Sequence, residues 1–117
     1  MWIQEGLATL VETLDERRQP IPCWRTNLIR RHALTNNVLP FELITGDVGR
    51  RLLRDQPLRY YAQTRAIFLW LHEQDQLASF YTTYTQGFAE GPSGRRALLE
   101  TLGVDTLDQA DAMFRSW

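Results

Sequence analysis

The sequence predicts an all-α fold, a compact bundle of five or six helices. Three observations carry that expectation: apolar residues recur at helical spacing in successive segments, proline and glycine separate those segments, and no alternating run of useful length marks a strand. The 117 residues make one small domain. With 44% apolar and 23% charged residues, the composition excludes a disordered or collagen-like chain. Four Trp, four Tyr and five Phe supply the large contact areas that a core of this size needs.

The first segment, Met1 to Arg18, places Ile3, Leu7, Leu10, Val11 and Leu14 on one helical stripe, and Pro20 and Pro22 end it. Cys23 to Ala33 follows as a short amphipathic helix carrying Trp24, Leu28 and Ile29 between arginines, and Asn36-Asn37 marks a turn. Leu39 to Ile44 is too short to classify by period; with Gly46 and Gly49 close behind, it reads as a loop with one helical turn. Leu58 to Gln74 is apolar around nearly its whole circumference, which predicts a central buried helix beginning after Pro57. Asp75 is expected to cap the next helix, on which Leu77, Phe80, Tyr81, Tyr84 and Phe88 share a stripe before Gly91-Pro92 breaks the chain. Ser93 then starts a short helix with Ala97, Leu98, Leu99 and Leu102, closed by a left-handed Gly103. Thr106 and Gln109 have capping-box spacing ahead of a last stripe of Leu107, Ala110, Met113, Phe114 and Trp117. No internal repeat or low-complexity tract interrupts the pattern.

Charge narrows the function classes. All 13 basic residues are arginines, seven of them between Arg25 and Arg59 against three acids, yet the formal total is −1. A nucleic-acid binder carries a domain-wide basic excess, so that class is set aside. The longest apolar stretch, Ala66 to Leu71, falls far short of the roughly 20 residues needed to cross a bilayer, and no targeting segment is recognisable, which leaves the compartment unspecified. Cys23 is the single cysteine and has no internal disulfide partner; with His32 and His72 it gives no metal-binding spacing. Each is read as an ordinary core or surface residue. Arg50-Arg51 and Arg95-Arg96 read as solvated faces or helix-end charges, although an arginine beside a cleft could bind a peptide carboxylate.

The most informative stretch is Trp2-Ile3-Gln4-Glu5-Gly6-Leu7-Ala8. On a helical wheel Glu5 falls opposite the centre of the apolar stripe, near Thr9, Glu12 and Glu16, and periodicity alone reads it as a solvated surface acid. The pattern Trp-x-x-Glu-Gly-x-Ala nevertheless resembles the glutamate helix of the gluzincin metallopeptidases, whose glutamate is the third zinc ligand. The run from Tyr60-Tyr61-Ala62-Gln63 to Trp70-Leu71 resembles the tyrosine-bearing helix that follows in peptidase MA-like domains. The tail through Phe80-Tyr81, Gly94, Leu98-Leu99, Gly103, Leu107 and Trp117 is similar to their closing helices, so the likeness covers nearly the whole chain.

That resemblance implies the C-terminal helical subdomain of a thermolysin- or aminopeptidase-like catalytic domain, with Glu5 as a zinc ligand and Tyr61 as a hydrogen-bond donor to the reaction's oxyanion. It also implies peptide or protein substrates and peptide-bond hydrolysis by metal-activated water. The chain departs from the family at the defining motif, because no His-Glu-x-x-His is present. His72-Glu73-Gln74-Asp75-Gln76 begins like one but has Gln76 where the second imidazole belongs. The missing ligands are therefore expected upstream of Met1, in a preceding part of the same polypeptide. Alone, this chain is expected to bind no zinc and to be inactive. Two other classes stay open: a non-enzymatic interaction module using Phe80, Tyr81, Tyr84 or Trp117, and a degenerate peptidase-like binding domain. The first predicts no shared face for Glu5 and Tyr61; the peptidase reading requires one. Oligomeric state and exo- versus endopeptidase action are not specified.

Overall fold

In a computed structural model, residues 2–12, 15–17, 38–46 and 48–117 are described, residues 48–50 and 53 by backbone alone. All regular structure among them is helical: α1 (Trp2–Val11), α2 (Phe41–Thr45), α3 (Val48–Asp55), α4 (Pro57–Glu73), α5 (Leu77–Gln86), α6 (Arg95–Leu102) and α7 (Leu107–Ser116). The all-α expectation holds. The expected helix from Cys23 to Ala33, the Asn36-Asn37 turn, Leu14, Cys23 and His32 lie outside the described residues.

The central helix α4 starts at Pro57, where the fixed φ suits a first helical position and the missing N–H costs nothing. It is buried around its circumference, as its composition predicts, from Tyr60 through Leu71 apart from the half-buried Tyr61 and Leu69. Three polar residues, Gln63, Thr64 and Arg65, are buried with it. The Gln63 amide satisfies both of its ends on one backbone unit, accepting from the Leu39 N–H at 2.8 Å and donating to the Leu39 carbonyl. That pairing holds the entry to α2.

Aromatic packing divides between two faces of α4. On one, Phe68 meets Trp2 of α1 at 5.6 Å and Phe80 of α5 at 5.8 Å between ring centroids. On the other, Trp70 meets Phe41 of α2 at 6.3 Å and Phe114 of α7 at 5.5 Å. Phe68 and Trp70 are two positions apart, about 200° around the helix, so one helix serves two clusters.

Several local expectations need correction. The one helical turn expected in Leu39–Ile44 is α2, formed because Phe41 is pulled wholly into the core beside Trp70 and Phe114 while Pro40 presets the helix entry at φ −61°; the eight-residue α3 behind it, around Gly49, is not expected. Asp75 does not cap α5. Its φ of 56° makes it the left-handed residue that closes α4, with the Gln76 N–H donating to Leu71 O at 2.8 Å and the Asp75 N–H to His72 O at 3.1 Å. Gln76 precedes α5 without a side-chain cap. The residue preceding α6 is Gly94 rather than Ser93: at φ 82° it is left-handed, and a Cβ there would stand 2.3 Å from Ile3 Cδ1.

Other helix ends follow expectation. Gly103 closes α6 at φ 70°, and Thr106 and Gln109 form a reciprocal capping box on α7. The Arg95-Arg96 pair is not merely solvated. Arg95 donates to Thr45 Oγ1 at 3.0 Å and to Glu42 O at 2.9 Å, tying α6 to α2, while Arg96 lies 3.5 Å from both Glu90 and Glu100.

Candidate functional site

The geometry of α1 decides where Glu5 stands. Its buried face is Trp2, Ile3, Gly6, Thr9 and Leu10, whereas Val11, expected on the apolar stripe, is 62% exposed. The stripe is rotated because Trp2 and Gly6 direct the packing. Trp2 is fully buried against Phe68 and Phe80, and its indole N–H donates to Ser93 O at 2.7 Å. Gly6 lets α1 lie so close to α4 that a Cβ would sit 2.2 Å from the Phe68 ring and 3.0 Å from Thr64 O. Thr9 is satisfied inside the helix, donating to Glu5 O at 2.8 Å and lying 3.0 Å from Gly6 O. As a result Glu5 is half-buried at the edge of the α1–α4 contact, not opposite it.

At that edge Glu5 acts on the tyrosine doublet that opens α4. Tyr60 is buried, and its phenol is pushed up to about 12, first by burial, then by the negative charge of Glu5, then by Tyr61. The rings of Tyr60 and Tyr61 pack edge-on with centroids 6.3 Å apart, and Tyr61 is half-buried. The Glu5 carboxylate is thus within electrostatic reach of the Tyr60 phenol, beside which Tyr61 packs at the start of α4. Tyr60 is a tyrosine whose phenol feels Glu5; the doublet is legible in the sequence, but which of its members is buried is not. A phenol this reluctant to ionise remains an O–H donor throughout the physiological range.

The remaining candidates are dispersed. His72 sits in the last turn of α4, twelve positions beyond Tyr60 and so about 18 Å along the axis. The neighbouring Glu73 accepts the Trp117 indole N–H at 2.8 Å. Among the described residues no three His, Cys, Asp or Glu side chains come together as a metal-binding group. Glu5 therefore offers one carboxylate, which by itself is not a zinc site, since a catalytic zinc takes three protein ligands. A polar cleft of about 250 Å³ lies between α5 and α6, lined by Thr83, Tyr84, Glu90, Gly91, Arg96 and Glu100; it contains Tyr84 and Arg96 of the residues singled out in the sequence, but neither Glu5 nor Tyr61. Of the aromatic stripe on α5, Phe80 is core, Tyr84 is half-buried and donates to Pro92 O at 3.2 Å, and Tyr81 is exposed. No helix among the described residues is long and apolar enough to cross a membrane.

Comparison with protein-family models, with curated proteins and with solved structures finds no match for this chain.

Proposed function

We propose that this chain is the C-terminal helical part of a gluzincin-type, peptidase MA-like zinc peptidase domain, in which Glu5 supplies the third metal ligand. The observation that supports the reading is the placement of Glu5, half-buried, at the tyrosine doublet of α4 by Trp2 and Gly6 of the same Trp-x-x-Glu-Gly motif. Trp2 anchors the helix, Gly6 brings it close, and Glu5 is left half-buried at the rim. In this reading the two imidazoles and the general base belong to a His-Glu-x-x-His segment preceding Met1. A zinc ion held between the two parts would supply activated water for peptide-bond hydrolysis. The Tyr61 hydroxyl donates to the oxyanion that develops on the scissile carbonyl, and Tyr60 backs it as a protonated neighbour. Among the described residues there is no complete ligand set, so in this reading the isolated chain is inactive.

The test is the parent polypeptide, expressed with the residues before Met1. Its zinc content by elemental analysis should approach one per chain and fall well below that in Glu5→Gln, whereas Tyr61→Phe should keep the metal and lose most of the peptidase turnover. A preceding region without His-Glu-x-x-His, or full zinc occupancy in Glu5→Gln, would remove the proposal.

A second reading, a non-enzymatic interaction module or a degenerate peptidase fold kept for binding, draws on the exposed aromatics Tyr81, Phe88 and Trp117. Under it, the parent protein binds no zinc, and Glu5→Gln changes nothing except the local phenol.

A further inference from the structure

No further inference is drawn: the strongest candidate, the exposed face of α5 and the turn after it, where Tyr81 and Phe88 stand half-exposed in a stretch without Asp, Glu, Lys or Arg, is an unpartnered aromatic patch, and nothing in the structure shows what covers it.

Discussion

The two faces of α4 are built on different principles. The Trp2–Phe68–Phe80 face depends on close approach: glycines at positions 6 and 94 leave no room for a methyl group, and the indole N–H finds its partner only in the Ser93 carbonyl. The Phe41–Trp70–Phe114 face depends on ring packing closed by side chains that reach the backbone, Gln63 to Leu39 and Arg115 to Val38. The first face seats Glu5 beside the tyrosine doublet, whereas the carboxylate at the second, Glu73, accepts the indole N–H of Trp117, which packs on Phe114. A glycine contact fixes a helix at one distance, and so fixes where the half-buried Glu5 stands beside α4.

The largest effects should come from the aromatic anchors. Trp2→Ala and Phe114→Ala each remove a buried ring and should each cost about 3–5 kcal/mol in denaturant unfolding. The two faces are told apart by the Tyr60 phenol. Trp2→Ala should lower its titration point by releasing α1 and Glu5, whereas Phe114→Ala should leave it in place so long as the variant is folded. Equal shifts in both variants would show that the faces are not independent.

Gly94→Ala comes next, because it meets both an unfavourable φ and the Ile3 methyl; a loss of about 2–3 kcal/mol is expected. On the other face, Gln63→Leu strands the Leu39 N–H and C=O and should cost about 1–3 kcal/mol. Hydrogen exchange should then show faster opening at the entry to α2 than at α1. The smallest effect contrasts two helix ends closed in the same way, α4 by Asp75 and α6 by Gly103, both left-handed. Asp75→Gly should raise stability by up to about 1 kcal/mol, since it relieves the positive φ at a residue whose side chain is exposed. A loss of stability would mean that the Asp75 side chain contributes at this turn.

Legibility followed the source of each signal. The starts of α4 and α7 and the close of α6 were readable because Pro57, Thr106 with Gln109, and Gly103 act through local backbone chemistry. By contrast, the extent of α1, which the apolar spacing carries to Arg18 although residues 15–17 form no helix, and the presence of α3 are not legible in the sequence. Long-range burial decides the helical turn at α2, where Phe41 is drawn between Trp70 and Phe114, and the arginine-rich α3 that follows is only eight residues long. The motif around Glu5 was visible as a pattern, but its setting was not. A wheel built on Ile3, Leu7, Leu10, Val11 and Leu14 ignores Gly6, and it is the Gly6 contact with Phe68 that turns Glu5 from the solvent side to the rim.

Packed on α4, α1 brings the Glu5 charge within electrostatic reach of the Tyr60 phenol, which reports its position. Because that phenol is raised above its ordinary value of 10, its contribution to folding is complete below pH 10 and declines as pH climbs from 10 towards 12. Tyrosine-selective NMR titration of the 117-residue chain, with Tyr60 assigned by Tyr60→Phe, gives the most direct measurement. The account predicts a Tyr60 phenol titrating near 12 that moves down in Glu5→Gln, with a shallower loss of stability above pH 10. A Tyr60 that titrates identically with and without the Glu5 charge would contradict it.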